Sequence, residues 1–435
     1  MRKIIVRGGK KLEGTVKVPG DKVSSVHIIL ASLLLDPKTK LEITNLQLNW
    51  DTKRIIDYAV DQNLITTKHD TDGTFHIHRT DKILGEDISG LAFSRASVTL
   101  TGHTLLKYGK VIFSLPGGCG FTSRPIDKHV EFLEACGGVV ETDVENDCFV
   151  ATLQEKPKIV KGNCQTKWAP SVGVAANGYL AALSGTDVEL ENVAVDAACR
   201  AIVSLLEACG ASVNVDGKSR QATASIKGQQ ASNLKITLPY DDTVAMTYVM
   251  AAVSTRSKIT LQHFTPNKQL VDLLNDMNVE TKQDGHSVVV DATNPKMPSK
   301  KIVCAAYPEI ASDIGPMIAG GLATLPEGEV TLIDTVYDNR SSHVHDLKLM
   351  GYNVEADKNT IYIRGRKNGY VAEGIQALAP DIRAAATTIV AALDIKNANS
   401  SVLMDYHQVH RGYEDLYESL LSLGCDIVEI REKIR

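Results

Sequence analysis

Six times along the chain, small and apolar residues fill a stretch where a surface helix would alternate polar and apolar faces. The runs begin near Lys22, Arg95, Ser171, Thr243, Asp313 and Asp381. Successive starts lie about 70 residues apart, a spacing that marks an internal repeat. Alanine and glycine on every side predict helices that are buried all round and packed closely. An amphipathic helix follows each run, over Asp51–Asn63, Asp127–Gly137, Ala198–Gly210, Lys268–Asn278, Ser342–Gly351 and Tyr413–Gly424. Each ends on glycine or asparagine, the residues that adopt the left-handed backbone closing a helix. Short alternating strands separate the pairs, among them Val139–Thr142, Ser212–Val215, Val288–Val290 and Thr360–Ile363. The repeat is strand, buried helix, strand, amphipathic helix and two strands, an α/β unit of type βαβαββ.

The pattern breaks at Leu238-Pro239-Tyr240-Asp241-Asp242, where proline bars a helix and the acids suit a turn. Lys17-Val18-Pro19-Gly20-Asp21 is a second natural crossover. Two domains of three units each are expected, one over 22–239 and the other over 1–21 with 240–435. The strand-like run Lys3–Arg7 then belongs with the second half.

Composition narrows the function. Of 435 residues, 43% are hydrophobic and only 5% aromatic, so the cores are aliphatic. A formal charge of -5 argues against a nucleic-acid binder, which needs a basic surface. No metal-type spacing links the eight cysteines. No apolar run reaches the roughly 18 residues of a membrane span, and no signal-like segment precedes the first strand. A cytoplasmic protein with reduced thiols, no membrane contact and no nucleic-acid partner is expected.

The richest stretch chemically is Leu115–His129. Gly117-Gly118 frees the backbone to approach a ligand, and Cys119 sits on that turn. Arg124 follows and can fork two donors onto phosphate or carboxylate. These residues read as an anion site beside a reactive thiol.

With six repeats and this loop, the chain resembles the enolpyruvyl transferases over nearly its whole length. Further matches are Arg95-Ala96-Ser97, Ser171-Val172-Gly173, Ser312-Asp313, Asn339-Arg340 with His343-Val344, Asp381-Ile382-Arg383-Ala384 and Arg411-Gly412-Tyr413-Glu414. The resemblance implies a two-domain inside-out α/β barrel with its active site in the cleft between the domains. It implies transfer of the enolpyruvyl group of phosphoenolpyruvate to an acceptor hydroxyl by addition and elimination, releasing phosphate. No metal or organic cofactor is implied, and a monomer is expected. Lys22, Arg124 and Arg411 match positions that hold phosphoenolpyruvate, with Arg340, Arg383 and Arg95 as further cations. Cys119 matches a cysteine proposed as proton donor or product-release residue, alkylated in the family by fosfomycin. Asp313 matches the proposed base at the acceptor hydroxyl. Arg124-Pro125-Ile126-Asp127 and Ser171-Val172-Gly173 match nucleotide-facing motifs, so the acceptor implied is a uridine nucleotide, by default UDP-N-acetylglucosamine.

The acceptor side also departs from the family. Its usual Lys-Asn pair is Lys22-Val23, its interdomain Asp-Arg step is Asp241-Asp242, and His410 replaces the acid before Arg411-Gly412-Tyr413. Losing an amide relaxes discrimination for a polar sugar. A different nucleotide such as UMP in nucleoside-antibiotic synthesis, 3-phosphoshikimate, or a non-catalytic sugar-nucleotide-binding role therefore stay open. Plainer readings stand beside these. Asp313 also has a plainer reading as a helix-opening acid, and Asp381 as a cap or a partner of Arg383. His129, His343 and His407 read as packing residues, and Cys136, Cys209 and Cys425 as core thiols.

Overall fold

A computed structural model describes residues 2–115, 117, 125–228, 230–366, 375–395, 401–405 and 408–431. They form two compact units, one lying between Gly20 and Pro239, the other running from Tyr240 onward and taking in the chain up to Pro19. Each unit has its own hydrophobic core.

The first unit carries helices α1 (Lys22–Ser32), α2 (Trp50–Asp61), α3 (Thr101–Tyr108), α4 (Asp127–Ala135), α5 (Val172–Ala181) and α6 (Ala197–Ala208). The second carries α7 (Asp242–Thr255), α8 (Lys268–Asp276), α9 (Gly315–Ala323), α10 (Ser342–Leu349), α11 (Ile382–Ala392) and α12 (Leu416–Ser422). Odd-numbered helices are the buried ones; α9 and α11 are buried at every residue. Their small residues have steric work to do. A Cβ on Gly320 would lie 2.8 Å from Thr387 of α11, and one on Gly321 would lie 2.9 Å from Met250 of α7. Larger side chains there would force α9 away from both neighbours.

Three sheets surround the buried helices of each unit. The repeat is plainest from Ile159 to Ser225. Ile159–Asn163 and Asp187–Glu191 pair in parallel across α5, and Ser212–Asp216 and Gln221–Ser225 return antiparallel after α6. In the first repeat of each unit the parallel partner comes from elsewhere in the chain. Asn233–Thr237 pairs with Lys40–Thr44, and Thr15–Lys17 with Lys258–Gln262. Arg2–Arg7 lies antiparallel between Ser401–Asp405 and Asp426–Arg431. This is the two-domain inside-out α/β barrel, with six βαβαββ units and three in each domain.

Three elements differ from expectation, one of them α12, which starts at Leu416 and not at Tyr413. The run beginning at Arg95 is a 3-10 helix over Arg95–Leu100 before it becomes α3. At the fifth repeat the helix starts at Gly315, with Pro316 in its first turn. Proline lacks an N–H, so it suits a first turn where that donor would have no partner. Asp313 therefore precedes the helix and does not open it.

Candidate functional site

In the second unit the residues before α9 and at the start of α11 converge on one carboxylate. Asp313 Oδ1 lies 2.6 Å from Arg340 Nη2, and Asp313 Oδ2 lies 2.7 Å from Arg383 Nη2. Arg383 Nε adds a contact of 3.3 Å to the same oxygen. Burial alone would push the Asp313 carboxyl up. The two guanidiniums outweigh it and hold the group well below the usual carboxylate range. Burial likewise opposes the charge on Arg383, and Asp313 more than restores it.

These arginines are themselves held. Arg340 Nη1 donates to Ser312 Oγ at 2.9 Å, and Ser312 donates in turn to Asp334. Asp334, at the end of strand Glu329–Asp334, also accepts the Val336 and Tyr337 amides at 2.8 and 3.1 Å. Asp381 caps α11 through the Arg383 and Ala384 amides and accepts Ser342 Oγ at 2.5 Å. Its capping role is thus the observed one; the partner of Arg383 is Asp313. Arg411 ends a short 3-10 turn, Val409–Arg411, and is half-buried. His343 is buried, and burial lowers its ring to about 4 although Asp381 opposes the shift.

In the first unit the matched residues sit at helix starts. Lys22 Nζ lies 3.3 Å from Asp51 Oδ2, which joins the first turns of α1 and α2. Asp21 caps α1 through the Ser24 amide at 2.7 Å, and Val23 beside it is 36% exposed. Arg95 Nη2 reaches the Pro125 carbonyl at 3.4 Å, and Ile126 packs into the core ahead of an exposed Asp127. Ser171 caps α5 through the Val174 amide at 3.3 Å, with Val172 half-exposed beyond it. Gly173 presses on His129, whose Nε2 would lie 3.1 Å from a Cβ there. The Asn177 amide lies 3.3 Å from His129 Nδ1. Burial, then Arg95 and His27, lowers this ring to about 3, so it stays neutral. Arg95 thus meets Pro125, and Gly173 meets His129.

Cys119, Arg124 and His407 lie outside the described residues. The other seven cysteines are buried, and burial pushes the Cys136, Cys209 and Cys425 thiols up to about 12. Among the described residues no helix is long and apolar enough to cross a membrane. Nor do they contain three or more His, Cys, Asp or Glu side chains grouped to hold a metal. Sequence reasoning missed Asp51 and Asp334. Only Asp51 carries a local signal, an acid in a helix's first turn after the cap Asn49.

Residues 6–420 match the family model described as EPSP synthase (3-phosphoshikimate 1-carboxyvinyltransferase). The chain belongs to that family and is an enzyme of enolpyruvyl transfer. It is 30% identical over 429 residues to a UDP-N-acetylglucosamine 1-carboxyvinyltransferase of Deinococcus deserti, covering 97% of this chain and 96% of that protein. Its fold is similar to that of the enolpyruvyl transferase NikO from Streptomyces tendae, with a TM-score of 0.82 at 18% identity over 98% of both chains. EPSP synthase from Acinetobacter baumannii is also similar, with a TM-score of 0.73 at 17% identity, covering 99% of this chain and 100% of that one.

Proposed function

We propose that this enzyme moves the enolpyruvyl group of phosphoenolpyruvate to a hydroxyl of a uridine nucleotide, with UDP-N-acetylglucosamine the first acceptor to test. The observation that carries this reading is the full-length similarity to a protein of that name in Deinococcus deserti. The chemistry of the site agrees with it. Phosphoenolpyruvate carries a phosphate and a carboxylate, and Lys22, Arg95, Arg124, Arg340, Arg383 and Arg411 supply cations for them. Arg124-Pro125-Ile126-Asp127, Ser171-Val172-Gly173 and Asp313 take the nucleotide.

The reaction adds a proton to the methylene carbon while the acceptor oxygen bonds to the adjacent carbon. The tetrahedral ketal then loses phosphate and a methyl proton, restoring the double bond. Cys119 handles the methylene proton, and Asp313 takes the hydroxyl proton. A carboxylate gripped by two guanidiniums is a weak base. Substrate anions that draw Arg340 away raise its proton affinity, so donor binding turns the base on.

One observation favours a second acceptor class. Val23, next to Lys22, exposes a side chain that offers no hydrogen bond to an amino sugar. UMP and related nucleotides without that sugar are the alternative. Phosphate release measured with phosphoenolpyruvate against UDP-N-acetylglucosamine, UMP and 3-phosphoshikimate tests both. Turnover with 3-phosphoshikimate alone would reject a uridine acceptor.

A further inference from the structure

We propose that Tyr413 is a positioning residue that steadies the Arg383 guanidinium against Asp313, and that Thr247 sets the direction of its hydrogen bond. Tyr413 is 1% exposed, and its hydroxyl lies 2.9 Å from Thr247 Oγ1. Thr247 has one hydroxyl proton, and it points at the Thr243 carbonyl, 2.8 Å away within α7. With its proton given to Thr243, Thr247 accepts from Tyr413 and the phenol donates. What the phenol still presents is lone pairs and the negative face of its ring. Both suit a guanidinium.

Arg383 is that guanidinium, its central carbon 5.9 Å from the Tyr413 ring centroid. Its Nε and Nη2 are committed to Asp313. Its Nη1 is buried with no hydrogen-bond acceptor among the described residues. Arg383 also offsets part of the upward push that burial gives the Tyr413 phenol. Backbone packing seats the ring. A Cβ on Gly412 would lie 2.3 Å from Ile382 Cγ2, so only glycine lets this segment rest on the start of α11. Thr247 of α7, Tyr413 and Arg383 of α11 thus form a chain from one buried helix to another. It ends on the carboxylate at the head of α9.

The inference rests on the reading that Arg383 engages phosphoenolpyruvate. Tyr413→Phe and Thr247→Val should each raise KM for phosphoenolpyruvate about tenfold while kcat changes less than about threefold, the mark of lost binding. The double variant should be no worse than either single one, because both break the same chain. Thr247→Ser keeps the hydroxyl and should restore KM. Phenylglyoxal labelling with peptide mapping should modify Arg383 faster in Tyr413→Phe than in the natural protein. A KM within twofold of the natural protein in Tyr413→Phe, or additive losses in the double variant, overturns the proposal. If the natural protein does not turn over phosphoenolpyruvate, the functional reading falls. The labelling then decides the positioning role by itself, and unchanged Arg383 labelling overturns it.

Discussion

Around α9 and α11 two guanidiniums, each under 10% exposed, close on a single carboxylate. Around α1 and α5 no two guanidiniums among the described residues share a carboxylate in this way; Lys22 meets Asp51, Arg95 lies near the Pro125 carbonyl, and Ser171 is a cap. Both regions sit on the same repeat, so the repeat does not decide how charge is held. Burial and the number of opposing charges do. A clustered site ties function to stability, since losing Asp313 removes the carboxylate that two buried guanidiniums share. Where no carboxylate is shared, one group can be changed with less effect on its surroundings.

Removing the shared carboxylate should have the largest effect. Asp313→Ala leaves Arg340 and Arg383 buried and facing each other. Urea denaturation should show a loss of about 3–5 kcal/mol, and transfer should fall by at least roughly a thousandfold. A variant as stable as the natural protein would break the comparison. Lys22→Gln should separate the two quantities. We expect turnover to drop at least about a hundredfold, given the cost of losing a charge partner, and stability to fall by about 1–3 kcal/mol, less than at Asp313, because the Lys22 and Asp51 side chains are only 16% and 17% exposed. A large stability loss here would show that the first unit is clustered too.

A pH titration sharpens the same point. His129 and His343 are neutral in the fold, lowered to about 3 and about 4. The unfolded chain takes up protons below the ordinary histidine value and the fold does not, so stability must fall as pH drops. The window is pH 6.5 to about 4 for His343 and extends to about 3 for His129. His343 accounts for roughly 3 kcal/mol at its lower end. Asp313 acts in the same direction but only below the ordinary carboxylate range, where its contribution is lost as it protonates. His343→Gln should therefore flatten the melting temperature between pH 6.5 and 4, a change thermal melts will detect. An unchanged slope would mean that other groups set it. The smallest effect is expected at Ser171→Ala, about 1 kcal/mol from a lost cap, with activity falling more than stability.

Much of the scaffold is legible because its signals are local. Asn63, Gly137, Gly210, Asn278, Gly351 and Gly424 all have positive φ, and each stands where the hydrophobic pattern ends an amphipathic helix. The strand expected at Ser212–Val215 runs over Ser212–Asp216, and that at Thr360–Ile363 over Thr360–Arg364. The start of α9 falls two residues beyond Asp313, because Pro316 suits a helix's first turn.

By itself the sequence determined the repeat, the helix ends, the aliphatic cores and the types of residue available to bind anions. Those follow from backbone preference and side-chain size, which act over a few neighbouring residues. Only the tertiary structure decided that Asp313 faces Arg383, 70 residues away, and does not cap a helix. Only it decided that Lys22 meets Asp51, and that the Thr247 hydroxyl lies 2.9 Å from that of Tyr413, 166 residues on. Each of these depends on which side chains share a small buried volume. Local spacing carries no record of that.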